Sequence, residues 1–283
     1  MLTTNKIPYE FLHDMLDIFE HQSWTKELTH ELTDLWNLCE KREEQELLKS
    51  LIKDFCIFDA KMEKQAQIAI DDKVQELGLR PKSTWIVGAA NRSEIDGSSA
   101  ALQRLKNKIE PCEEWHSRFL PNIPEAVEKV KEGQTVILFD DFIGSGKKMV
   151  DKGAWLRKLL ATKEVNEFKM IYMSLSAMKF GLDRIVKDTG CEAFAHNILQ
   201  KAISEKHPPA QAAVLIETMR KIESRLDETY RQKSIKEYSL GFGESEALYC
   251  AENDNCPNNV FPVFWWPRLK SGAPFKTILR RAG

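Results

Sequence analysis

The chain has 283 residues, 42% of them hydrophobic, with 41 basic against 43 acidic side chains and a net charge of -2. The apolar content suffices for one large domain or two modest ones, and the even spread of lysine and arginine offers no basic face for dedicated duplex binding. No basic segment leads an apolar one at the N-terminus and no apolar run reaches membrane-spanning length, so a soluble, cytoplasmic protein without a membrane partner is expected. Residues from about Pro8 to Gly78 read as helical throughout. Phe11, Met15, Leu16 and Phe19 make a first apolar stripe, Trp24, Leu28, Leu32, Leu35 and Trp36 a second, and Leu47, Leu48, Leu51, Ile52 and Phe55 a third. A more polar helix over Lys61–Leu77 closes at Gly78, which gives about four helices in an N-terminal region spanning residues 1–80.

The pattern then changes. Thr84–Val87 reads as a buried strand, Gly88–Gly97 as a loop, and Ser98 or Ser99 as the cap of a helix carrying Leu102 and Leu105. After an irregular, proline-bearing stretch over Glu110–Pro124, a helix near Glu125–Lys131 leads to a strand at Val136, a helix over Lys147–Leu160, and a strand within Lys169–Ser174. A further helix precedes Gly190, and Cys191–His196 is the next strand. Alternation of this kind predicts an α/β core, residues 81–235, built on a parallel sheet covered on both faces. Pro209–Arg231 reads as one long helix, and residues 236–283 as a Gly-, Asn- and aromatic-rich tail with short strands at Ala247–Cys250 and Val260–Phe264.

One segment carries the chemistry. VILFDDFIGSGKK, from Val136 to Lys148, runs from a buried strand into Asp140 and Asp141 and then into a glycine loop that opens a helix. Adjacent carboxylates accept hydrogen bonds from vicinal sugar hydroxyls, while loop amides and the positive end of the helix receive a phosphate. Backbone amides over Ile143, Gly144, Ser145, Gly146 and Lys147 are the candidate 5′-phosphate cradle, with Lys147 and Lys148 as nearby cations. A lysine at a helix start opposes the dipole unless an anion is bound there. The GSGK string is not a P-loop, because Asp141 stands where that motif requires its first glycine.

Four apolar residues, two acids and a glycine loop resemble the PRPP-binding signature of type I phosphoribosyltransferases. Gly144 and Lys148 depart from it, Gly144 standing where the family usually carries Thr or Ser and Lys148 where it usually carries another Thr. The resemblance implies catalysis by positioning and charge, with Mg²⁺ bridging pyrophosphate and ribose hydroxyls at Asp140 and Asp141. It also implies a pyrophosphate loop after an earlier strand. Gly88–Gly97 has that position, and Arg92 is either its cation or a solvated surface arginine. His116, within a stretch where such enzymes often carry a mobile loop, reads as a surface histidine.

The form FDDFIGSGK, together with the tail GFGESEALYC and CPNNVFPVFWW, is similar to a divergent group of phosphoribosyltransferase-like proteins of bacterial conflict and anti-phage loci, some associated with retrons. That likeness implies a tail folded as a hood over the pocket. Asn258 and Asn259 there either read a base or only make turns, and Phe264, Trp265 and Trp266 read as packing. It further implies a nucleotide-type ligand and a partner at the helical region, such as a reverse transcriptase with its RNA–DNA or another defence-system subunit, with oligomerisation open. Two functions follow: an effector acting on nucleotides, or a non-catalytic PRPP or nucleotide sensor, which the altered loop would suit. Of the six cysteines, Cys250 and Cys256 are the pair that could meet as a disulfide or metal site; otherwise they are buried small hydrophobes.

Overall fold

The computed structural model describes residues 8–92, 97–252 and 254–282. In chain order the elements are α1 (Tyr9–His21), α2 (Thr29–Asn37), α3 (Arg42–Lys53), β1 (Cys56–Phe58), α4 (Ala60–Glu76), β2 (Thr84–Gly88), α5 (Gly97–Leu105), α6 (Cys112–Trp115), β3 (Phe119–Leu120), α7 (Ile123–Lys129), β4 (Thr135–Ile143), α8 (Lys147–Ala161), β5 (Lys169–Met178), α9 (Lys179–Thr189), β6 (Glu192–Leu199), α10 (Pro209–Glu223), β7 (Thr229–Tyr230), β8 (Lys233–Ser234) and β9 (Tyr249–Ala251). Two compact units result. Residues 59–200 form one, and residues 1–58 with 201–283 form the other. This division cuts across the three consecutive segments read from the sequence.

The unit of residues 59–200 is built on a five-stranded sheet in the order β3-β2-β4-β5-β6. Every pairing in it is parallel, as the alternation of strands and helices predicted. Strands β2, β4 and β5 are buried almost throughout because both faces are covered, whereas β6 at the edge is largely half-exposed. Trp85, Val87, Val136, Leu138, Met170 and Tyr172 pack on one face with Ile123 and Ala126 of α7, Met149 and Leu156 of α8 and Leu182 and Ile185 of α9. By the two-residue period of a strand, Ile86, Ile137, Phe139, Ile171 and Met173 point to the other face, and all are buried. Helices α4 and α5 pack on the sheet outside the first cluster. The fourth expected helix therefore belongs with the sheet; Asp59 caps it by accepting from the Met62 amide at 2.8 Å.

Strand order fixes where a ligand can enter. From β2 the chain steps to β3 on one side and then crosses to β4 on the other, so the direction of winding reverses between β2 and β4. At such a reversal the loops leaving the carboxyl ends of the two strands diverge and open a crevice. The loops in question follow Gly88 and Ile143.

The other unit gathers α1, α2, α3 and β1 with α10 and the C-terminal segment. Its helices are tied by buried charge: Asp14 is bridged by Arg42 and by Lys49 at 2.8 Å, and Glu44 of α3 takes a two-pronged bond from Arg225 at 2.8 and 2.7 Å. Three expectations are corrected here. Pro8–Gly78 is not helical throughout, since β1 pairs in parallel with β9. The long helix over Pro209–Arg231 stops at Glu223, and the chain turns back as the β7–β8 hairpin, whose two turn residues Arg231 and Gln232 both have positive φ. Val260–Phe264 is no strand: Pro262 cannot donate to a ladder and opens a 3-10 turn over Pro262–Phe264, leaving an isolated bridge between Ala247 and Val260. In the sheet unit, the stretch read as irregular contains α6 and the edge strand β3.

Candidate functional site

Strand β4 runs to Ile143, so Asp140 and Asp141 lie within its last turn of pleat rather than in the loop. Asp140 stands beside Ser174 of β5 in the register, and Ser174 and Ser176 are fully buried. The Ser174 hydroxyl donates to the Ser176 carbonyl at 2.9 Å, and the Asn197 amide of β6 donates to the Ser176 hydroxyl at 3.2 Å. The carboxyl end of this apolar sheet is thus polar next to the acid pair.

Asp140 is 2% exposed. Its Oδ1 accepts the Asp141 backbone N–H at 3.1 Å, and the Lys148 ammonium reaches across from α8 to sit 3.1 Å from Oδ1 and 3.0 Å from Oδ2. Asp141 keeps some solvent contact as a residue, yet its carboxyl packs on the backbone at Gly97, where a Cβ would lie 2.7 Å from Cγ and 3.0 Å from Oδ1. Burial there, and next the negative charge of Asp140, push the Asp141 carboxyl well above the usual carboxylate range. A cation or a hydroxyl donor brought to the pair relieves both effects.

The phosphate-type loop follows directly. Gly144, Ser145 and Gly146 are buried, and Gly146 precedes α8 at φ 74, a left-handed conformation that glycine adopts without cost. The loop is pressed against the first turn of α9. A side chain on Gly146 would strike the Gly181 carbonyl, and one on Gly181 would strike the Gly144 carbonyl and lie 3.2 Å from the Gly146 nitrogen. Arg184, one turn further along α9, points Nη1 at the Ser145 carbonyl at 3.5 Å. Lys147 is exposed and pairs with Asp151 on the helix surface.

Across the crevice, the loop after β2 is tied to α8: the Lys152 ammonium donates to Asn91 Oδ1 at 2.9 Å. Arg92 follows in an exposed turn; residues 93–96 of the expected pyrophosphate loop lie outside the described residues. The sequence reading therefore placed Asp140, Asp141, Ile143 to Lys148 and Arg92 on the carboxyl end of one sheet. It missed Gly97, Lys152, Gly181 and Arg184, and it did not see Lys148 as a partner of Asp140. A glycine two residues into the helix after a strand, as in Lys179-Phe180-Gly181, is the only trace that Gly181 leaves.

Asn258 and Asn259 belong to the other unit. The Asn259 side chain is 8% exposed, and its amide donates to the Phe242 carbonyl at 3.1 Å and the Ser245 hydroxyl at 2.8 Å, so both its amide hydrogens are committed to the local fold. Asn258 is partly exposed, and its backbone carbonyl accepts the Phe242 amide at 2.8 Å. Phe264, Trp265 and Trp266 are buried. Cys250 and Cys256 are both buried, free thiols, and a hydrogen bond from Cys256 lowers the Cys250 thiol from its ordinary value. His116 is exposed.

The donor set tests whether Mg²⁺ fits. Among the described residues no three metal-ligating side chains converge. Asp140 and Asp141 fit the ion as part of a shell, which ligand phosphates and hydroxyls would complete, the usual arrangement for Mg²⁺ at phosphate sites. No helix among the described residues is long and apolar enough to cross a membrane.

A family model described as PRTase-CE matches residues 18–281. The chain belongs to the PRTase-CE family. Among solved structures it is similar to the AQ2163 protein of Aquifex aeolicus, at 14% identity and a TM-score of 0.28, over 43% of this chain and 57% of that one. It is also similar to the adenine phosphoribosyltransferase of Thermoanaerobacter pseudethanolicus, at 16% identity and a TM-score of 0.29, over 47% of this chain and 78% of that one. No curated protein matches it. Family membership and the five-stranded parallel sheet make this a phosphoribosyltransferase-like α/β fold.

Proposed function

We propose that this PRTase-CE protein binds PRPP or a related nucleotide at the β2–β4 crevice and acts on nucleotides as an effector of a bacterial anti-phage system. The observation that carries the binding reading is the run from a buried, polar-flanked acid pair straight into a glycine loop and helix at the reversal of the sheet. Asp140 and Asp141 would accept the ribose hydroxyls. The amides from Ile143 to Lys147 would hold the 5′-phosphate, with Gly146 and Gly181 allowing the close approach. Arg92 would face the pyrophosphate. Mg²⁺ held by Asp140 and Asp141 would supply positive charge against the departing pyrophosphate.

The defence role rests on the likeness of the motif and tail to conflict-system proteins. On that reading the helical N-terminal region docks the partner, such as a reverse transcriptase carrying RNA–DNA, in the cytoplasm. A second reading, a sensor that binds without turnover, is favoured by one specific observation: Lys148 already occupies Asp140. Incubating pure protein with PRPP, Mg²⁺ and nucleotide pools separates them. The effector yields new products by mass spectrometry that the Asp140→Ala/Asp141→Ala variant does not; binding without product supports the sensor.

A further inference from the structure

The two lysines that open α8 have different fates. Lys147 pairs with Asp151 one turn along the same helix, where both side chains are more than half exposed, a surface pair of small worth. Lys148 instead turns back over the sheet to Asp140, whose side chain is 2% exposed, and contacts both carboxylate oxygens. A buried carboxylate left without a counter-charge carries a large penalty, and this ammonium is the counter-charge placed against Asp140. It sits at the same time in the first turn of a helix, where a cation opposes the helix dipole and an anion is favoured. Lys148 therefore stands between two anions: the carboxylate it holds now, and any phosphate that enters the loop before it.

We infer that Lys148 is a resident cation that keeps divalent metal off the acid pair until a ligand phosphate at the start of α8 draws the ammonium away. The inference rests on the phosphate-loop reading above. A divalent ion approaching Asp140 competes with an ammonium 3.1 and 3.0 Å from the same two oxygens, so metal alone binds weakly. A phosphate in the Gly144–Gly146 loop draws Lys148 toward a new anion and frees Asp140. Metal and ribose phosphate then bind cooperatively, and by linkage each raises the affinity for the other by the same factor. Metal enters with the ligand, so the site discriminates phosphorylated riboses from the free ion pool.

The test is calorimetry with Mn²⁺ as the metal probe and ribose 5-phosphate as the phosphate probe. Wild type should bind Mn²⁺ weakly alone and about tenfold or more tightly with saturating ribose 5-phosphate, within the usual range of coupling between sites. Lys148→Met should bind Mn²⁺ tightly by itself, with no further gain from the sugar phosphate. Lys148→Arg, which keeps the charge, should behave as wild type and guards against a folding defect in the first variant. Equal Mn²⁺ affinity in wild type and Lys148→Met overturns the inference. Absence of ribose 5-phosphate binding to every variant overturns the phosphate-loop reading instead, while the Mn²⁺ comparison between wild type and Lys148→Met still decides the role of Lys148.

Discussion

Gly181→Ala is expected to disable the proposed phosphate loop without altering a residue assigned to ligand contact. The added Cβ would meet backbone on two sides: the Gly144 carbonyl, whose carbon it would approach to 3.1 Å, and the Gly146 nitrogen at 3.2 Å. Backbone cannot rotate aside as a long side chain does, so the loop must shift by on the order of 1 Å or α9 must retreat from the sheet. Overpacking of this kind costs about 1–3 kcal/mol of stability. A displaced loop forfeits at least one amide-to-phosphate hydrogen bond, worth about 1.5–3 kcal/mol, or roughly 10- to 100-fold in affinity. Gly190→Ala is the control, because Gly190 has φ 66 with nothing near its missing Cβ; it should cost about 1 kcal/mol from strain alone and leave binding unchanged. Urea unfolding gives the stabilities and calorimetry with ribose 5-phosphate the affinities. A Gly181→Ala protein that binds as wild type does would refute the close packing of the loop on α9 as the basis of the cradle.

Two further expectations concern the other unit. Burial lifts Glu223 from the usual 4.5 to about 7, while the Ser239 hydroxyl at 2.6 Å and the Leu240 amide at 3.1 Å donate to its carboxyl. A carboxyl raised in the folded state favours folding fully below about pH 4.5 and loses that contribution as pH climbs through about 7, a swing of ~3 kcal/mol. Glu223→Gln should flatten this slope in unfolding measured from pH 4.5 to 8, and an unchanged slope would remove Glu223 as its source. Arg225→Met strands the Glu44 carboxylate, 3% exposed, and should cost about 3 kcal/mol. Adding Glu44→Gln should recover much of that loss in a double-mutant cycle, and strictly additive losses would argue against the pair.

The sheet was legible because its central strands are apolar runs separated by helices of ordinary length; the limits of β2 and α8 follow within a residue from the apolar run and the glycines. The acid pair and loop were legible because the motif is local. What escaped depends on distance along the chain. Strand β1 is three residues long and takes its partner from β9 near the other terminus, so no local window marks it. The end of α10 is set by a bridge between Leu226 and Leu269 and by the hairpin turn beyond it, whereas its helical propensity continues. Lys148 looked like a phosphate ligand because its helix position is visible in sequence; its bond to Asp140 arises only when α8 packs beside β4.

The central claim is that the Asp140–Lys148 segment is a ribose-phosphate site, and titration of PRPP into the pure protein by calorimetry tests it most directly. Wild type should bind with one-to-one stoichiometry and Asp140→Ala/Asp141→Ala should lose that binding while remaining folded. Absence of PRPP binding to wild type, or equal binding to the double variant, would contradict it.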